Sequence, residues 1–596
     1  MAKELKYITD IIQGNIIDSW HVSQSVEAFS AATGVQQDYD ISVSGSFKVT
    51  GSQFIKPNTL LNQTKNYILS YDNTTGQIFK MLTSSIEDGD DEQEVYRTGS
   101  SDNNIIPNKF GTFDNTGINS AIASGNNNKI DKNCSFIGGG TLNTASNCLS
   151  AVVGGSQNSI SGTYQGGFIG SGFLNCIDRS NESGIVAGRR NCIGDSSTTH
   201  FIGGGLCNTV GGYSDSNLIV GGANNCINNG SQSTSIVGGS GNTISNYTCA
   251  KVIVGGRLNS ISSTTSAYSF IGGGCRNKVT GTSAVIVGGI LNTSSANFTF
   301  IGGGSCNQAT ALNSSVVGGT LNTASVLCSF IGGGCSNSIS NYDATNKFDI
   351  IVGGENNTIS NAYNSCDSVI VGGKNNTISG YYGRFRFIGG GCNNTVTTDG
   401  RFGMGVIVGG CSNQLKGGNI GNGFIGAGSS NDVCNGGYIV GGILNLSCGN
   451  SDFIGAGRNN SISGYSNEES AIVGGCCNTI SGAYCKQSFI GGGCNNIICS
   501  TNNTVIVGGI LNTSSAACSF IGGGKSNNIL STHTDSFIVG SNIISHATCT
   551  THVNNLTVSG SAAGTSVVMM RGLPTSDPLN VDQLWNDSGT LKVSAG

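Results

Sequence analysis

The chain runs to 596 residues, of which 95 are glycine, four are proline and only 10% are charged. With so little proline and no Gly-X-Y period it is not collagen, and a 37% hydrophobic fraction with regularly placed Ile and Val excludes a disordered glycine-rich tract. A net charge of −5 without a basic stripe excludes nucleic-acid binding by phosphate neutralisation.

Residues 1–100 read as a small α+β domain. Val22, Val26 and Phe29 have the spacing of a short helix, Ile41 to Val49 alternates as a strand, and Tyr67 to Ile78 reads as a hairpin. The opening Met1 to Lys6 lacks the apolar run that follows the basic start of a secretion signal. Synthesis in a reducing cytoplasm is therefore expected, with the 23 cysteines as free thiols. No apolar stretch is long enough to cross a membrane, so no membrane insertion is expected. The acidic run near 87–94 lacks the glycine position and distal glutamate of a calcium loop and reads as a solvated linker. Residues 101–124 form a transition.

From 125 to 545 the chain repeats itself. The unit is Phe-Ile-Gly-Gly-Gly-x-x-Asn-x-Ile or Val-Ile-Val-Gly-Gly-x-x-Asn-x-Ile, and its asparagine recurs 25 times between Asn128 and Asn527, about every 17 residues. Asn143, Asn158, Asn208, Asn242, Asn277, Asn337, Asn394, Asn478 and Asn512 are typical of this rung-turn station. A unit this short holds a strand, a tight turn, a second short strand and a return loop, and cannot stand alone. Stacked in parallel at about 4.8 Å per rung, the units make a rod of roughly 120 Å. The glycines sit where the chain turns, asparagine is the next most tolerant residue there, and its amide can bond along the stack as a ladder.

Strand alternation sends Phe136 and Gly138 to one face and Ile137 to the other. Neighbouring units exchange volume on the first face, as in Phe300/Gly302 against Val285/Val287. The second face is also apolar. A thin solenoid has one interior, so this second face, lined by Ile137, Val152, Ile169 and Ile202, needs a partner, and three chains around a common axis would supply it. A homotrimer is the expectation. Cysteines such as Cys275, Cys335, Cys392 and Cys494 share a slot with Thr141, Ser156 and Lys525, so cysteine is expected to act there as a small residue.

Residues 546–596 read as a C-terminal trimerisation and cap segment, with a hairpin turning at Asn586 to Gly589 and Trp585 beside it. The glycine-asparagine units resemble the head repeats of trimeric YadA-type adhesins, a left-handed parallel β-roll, and still more the similar arrays of bacterial and phage surface proteins. The resemblance covers about 420 residues. The string from His21 through Ile41 to Ser52 resembles N-terminal attachment segments of tailed-phage fibre proteins, and Gly572 to Val593 resembles a closing element of phage virion proteins. The implied fold is an all-β trimeric parallel β-solenoid with a small N-terminal α+β attachment domain and a short β cap. The implied function is a virion fibre, head or tail, joined to capsid or tail proteins through residues 1–100 and contributing to host attachment. A cellular adhesin or extracellular filament is the alternative, although the signal and membrane anchor of that class are not seen. A polysaccharide-cleaving tailspike would need acidic pairs in a groove, and carboxylates are sparse between 128 and 527.

Chemistry-bearing motifs are few. Gly522 to Ser526 imitates the end of a phosphate-binding loop, but the required first glycine is Ser519. The five histidines show no metal spacing, and no enzymatic activity or cofactor is expected. Candidate receptor contacts are the aromatic and basic residues of the longest return loops: Tyr342, Tyr381, Tyr382, Arg384, Arg386 and Arg401. The competing reading is that these residues fill grooves between chains.

Overall fold

A computed structural model describes residues 67–71, 78–82, 96–98, 105–107 and 114–596, less short stretches of the return loops, among them 341–347, 362–366 and 399–403, and residues 558–569 and 571. The helix and strand expected between 22 and 49, the acidic linker, Tyr342 and Arg401 lie outside the described residues.

The chain divides into Met1–Glu94 and Val95–Gly596. In the first unit Tyr67–Tyr71 pairs antiparallel with Ile78–Leu82, Tyr71 opposite Ile78, as the hairpin pattern predicts.

The second unit is a parallel β-solenoid. Each rung carries two strands, most of them two residues long. Phe136–Ile137 pairs in register with Ala151–Val152 in the first strand column, and Thr144–Ala145 pairs with Ser159–Ser161 in the second. The first column runs from Ile105–Pro107 to Thr551–Val553 and the second from Asp114–Asn115 to Asn528–Ile529. Single bridges such as Thr141 to Ser156 and Ser156 to Phe173 join the corners between them. The 24 steps from Asn128 to Asn527, at about 4.8 Å each, carry the stack over roughly 115 Å.

Period-two alternation separates the faces, but the interior goes to the isoleucine face expected to meet a partner chain, and the Phe/Val face is the one left outside. Ile137 is fully buried while its neighbour Phe136 is 37% exposed, and the same holds for Ile301 and Phe300. The inward aliphatics of both columns, from Ile122 to Ile538, form one continuous core. Each buried Ile, Val or Leu among them contributes roughly 1.5–3 kcal/mol.

Two close approaches explain the glycines. A Cβ on Gly138 would lie 2.4 Å from the Val153 carbonyl oxygen of the next rung and 3.3 Å from the Phe136 ring, so the ring lies over a bare backbone. Gly140 turns the corner at φ +92°, and a Cβ there would meet the Gly155 carbonyl at 1.9 Å. The volume exchange expected between Phe/Gly and Val/Val rungs is therefore coupled to a steric demand from the adjacent rung.

At the C-terminus Leu584–Asp587 and Thr590–Val593 form the expected antiparallel hairpin. Ser588 and Gly589 both have positive φ, the backbone of a tight primed turn. Trp585 faces Lys592, whose ammonium lies 5.3 Å from the ring centroid.

Candidate functional site

The most regular feature of the rod is internal. All nine rung-turn asparagines named above are fully buried. The left-handed residue beside each is its predecessor, as with Leu142 before Asn143 and Gln157 before Asn158, and the asparagine itself does not adopt that backbone. Its side chain serves three partners. Asn143 Nδ2 donates to Gly139 O at 2.9 Å in its own rung and to Gly155 O at 3.0 Å in the next, and its Oδ1 accepts the Asn158 backbone N–H at 3.0 Å. This N–H to Oδ1 link recurs without a break from Asn128 to Asn527, so the corner's inward backbone groups are satisfied by a side-chain column.

The outer face of the first strand column is an apolar strip running the length of the stack. Phe168, Phe201, Val220, Val254, Val287 and Phe330 are each 37–49% exposed along it. Exposed leucines also recur just after the corner bridges. Leu142, Leu258, Leu291, Leu321, Leu444 and Leu511 are 42–54% exposed and all have φ between 56° and 58°. A left-handed leucine costs roughly 1–2 kcal/mol, and its exposure adds no compensating burial within the chain. A long uncovered apolar surface on a water-facing protein marks a contact site. Strand alternation separates the two faces without saying which is left uncovered, and the exposed leucines have only a weak sequence signal, the recurring Leu-Asn pair.

The residue just before the outward Phe or Val position of each first strand also points inward, forming a buried column in which serine is the commonest residue. In the rungs with the longest return loops it becomes Asp349, Ser368 and Arg386, all fully buried. Asn361 joins the two charges: its Nδ2 donates to both Asp349 oxygens at 3.3 and 3.2 Å, and its Oδ1 accepts from Arg386 Nη1. Arg386 is therefore withdrawn from the receptor-contact set. It shares the parity of Ile388, two residues on, and so points inside with it. Tyr381 and Tyr382, 50% and 40% exposed, lie at the surface, as do the exposed Arg384 and Phe385.

Asp452 occupies the same inward column and is fully buried. Burial pushes its carboxyl up to about 7, against the backbone N–H groups of Ser470 and Gly449, with Glu468 adding a further upward push. A carboxyl raised in the folded state favours folding below its unfolded pKa near 4, and that contribution is lost as pH rises through about 7. Asp452→Asn is expected to flatten the decline of stability between pH 4 and 7, by up to about 4 kcal/mol across the window. Denaturant titrations at each pH measure it; identical slopes for variant and wild type would refute it.

Two cysteine pairs are bonded, Cys392–Cys411 and Cys434–Cys448, with Cα atoms 4.7 and 4.5 Å apart. This departs from the expectation of free thiols throughout. Equivalent slots of adjacent rungs lie one strand spacing apart, close enough for a disulfide. Gly522 to Ser526 is an ordinary rung corner, with Lys525 bridged to Ile510. His546 and His552 lie edge to face near the end of the stack, their ring centroids 5.8 Å apart. Among the described residues no cluster of three or more His, Cys, Asp or Glu side chains could hold a metal.

These columns define an all-β parallel β-solenoid repeat protein with a small antiparallel C-terminal sheet. Comparison with protein-family models finds no match, and comparison with curated proteins finds no similar sequence.

Proposed function

We propose that the chain is a structural fibre of a bacteriophage virion, in which three copies associate along their apolar strips and project the solenoid as a rod. The observation that carries this reading is the strip itself, its Phe and Val side chains exposed or half-buried from rung to rung along the stack. An outer face of this composition is stable in water when covered, and a second and third copy offer the same repeat at the same spacing. The resemblance of the two ends to phage attachment and closing segments supplies the virion address, with residues 1–100 joining capsid or tail proteins. Tyr381, Tyr382 and Arg384 supply exposed side chains suited to a host glycan or protein. The rod is a spacer and carries no catalysis.

Light scattering on the purified full chain tests the assembly: three times the chain mass is expected, and a monomer at micromolar concentration would overturn it. Labelled antibody imaged on purified phage particles tests the address. The same label on an uninfected cell surface would instead favour the cellular adhesin.

A further inference from the structure

The bonded pairs share a construction with other cysteines of the rod. In each, two cysteines occupy one slot in consecutive rungs. Cys392 and Cys411 are partners in the corner column of single bridges, and Cys434 and Cys448 each directly follow an inward residue of the second strand column. Two further pairs meet the same rule. Cys176 and Cys192 are direct register partners in the second strand column, and Cys476 and Cys494 are partners in the corner column. All four of these thiols are partly exposed, within reach of a small reagent.

We propose that these four adjacent-rung pairs are one set of disulfide staples, and that Cys176–Cys192 and Cys476–Cys494 close when the assembled rod meets a low-molecular-weight disulfide. A thiolate of the pair attacks the reagent RSSR and expels RS⁻, forming a mixed disulfide. The second thiolate displaces the remaining RS⁻, so each staple yields one protein disulfide and two RSH, and RSSR takes up the two electrons. The register selects the partner. Strand spacing puts Cα atoms of aligned residues about 4.8 Å apart, inside the usual disulfide range of about 4.4–6.8 Å. Cys477 also approaches Cys476, Sγ to Sγ at 3.3 Å, but consecutive Cα atoms are only about 3.8 Å apart, below that range. Staples of this kind tie one rung to the next, where a quasi-one-dimensional stack opens most readily.

The slot rule also names cysteines that stay out of any cross-link. Cys275 lies between Arg257 and Ile290, and Cys335 between Thr320 and Glu355, so neither has a thiol one rung away. The test treats the native full-length protein with glutathione disulfide, alkylates remaining thiols, and maps linked peptides by mass spectrometry without reduction. Links 176–192, 392–411, 434–448 and 476–494 are expected, each lost on reduction, with Cys275 and Cys335 recovered alkylated or as glutathione adducts and in no protein cross-link. In Cys176→Ser, Cys192 is expected alkylated or as a glutathione adduct, with any cross-link to it reduced at least tenfold, while the 476–494 link persists. Persistent alkylation of Cys176, Cys192, Cys476 and Cys494 after oxidation would overturn the proposal. So would a 476–477 link in place of 476–494, or a protein cross-link of Cys192 in the Cys176→Ser protein.

Discussion

Asn307→Leu is expected to open the rod at one rung, at a local cost of roughly 3–5 kcal/mol. Asn307 is fully buried; its Nδ2 donates to Gly303 O at 2.8 Å and Gly319 O at 2.9 Å, and its Oδ1 accepts the Asn322 N–H at 2.9 Å. Leucine is of similar volume and keeps the site filled, so the loss is one of hydrogen bonding. The Gly319 carbonyl retains the Ser305 N–H as a second donor, whereas the Asn322 N–H loses its acceptor in a dry interior. An unsatisfied buried group costs about 1–3 kcal/mol, and leucine disturbs three of them. Because rungs contact only their neighbours, the damage is expected to remain near the substitution. Amide exchange at Asn322 should accelerate by at least a hundredfold, while rungs near Asn158 keep their protection. Gln308→Ala, at an exposed position beside it, should change stability by less than about 0.5 kcal/mol. Unchanged exchange at Asn322 would mean that the ladder is incidental to the stack.

The second large effect concerns the outer strip and rests on the proposed trimer. Val287 and Val317 are 49% and 46% exposed and flank Phe300 in the rung between them. Val287→Glu combined with Val317→Glu would place six carboxylates on the three-fold contact, each costing several kcal/mol if buried without a counter-ion. The double variant is expected to sediment as a monomer with the β-sheet circular dichroism of the wild type retained, because neither residue faces the core. A trimer of wild-type stability would place the contact on another face. Loss of β signal together with the trimer would show instead that the solenoid does not hold as a monomer.

Much of the architecture is legible because a repeat states its rules many times over. Alternation in Phe-Ile-Gly separates the Ile137 column from the Phe136 column, and the glycine-asparagine spacing sets the rung. The candidate contacts were harder to read. Arg386 looked like a loop residue beside Tyr382 and Arg384, yet it sits two places before Ile388 and takes the inward parity. Counting back from the rung's own strand would have placed it inside. The Asp349–Asn361–Arg386 cluster carried no such signal, since its members lie 12 and 25 residues apart and meet only because return loops of unequal length bring the rungs into register. The cysteine pairs are intermediate: the shared slot of Cys392 and Cys494 is visible in the repeat, but pairing requires two consecutive rungs to carry the thiol, as Cys392 and Cys411 do.

By itself the sequence determined a parallel β-solenoid, the period of its rungs, the hairpins at Tyr67–Leu82 and Leu584–Val593, and an apolar character on both faces of the first strand. Local rules suffice for these, because strand parity, turn stereochemistry and a repeated unit act within a few residues. Only the tertiary structure decided that the isoleucines take the interior and the Phe/Val face is left uncovered. It also turned the turn-site asparagine into a buried three-partner ladder, took Arg386 inside and brought the cysteines of adjacent rungs together. Each of these depends on what the next rung, some 14 to 20 residues away, puts against the first. That distance is short along the rod and invisible to any rule confined to neighbours in the chain.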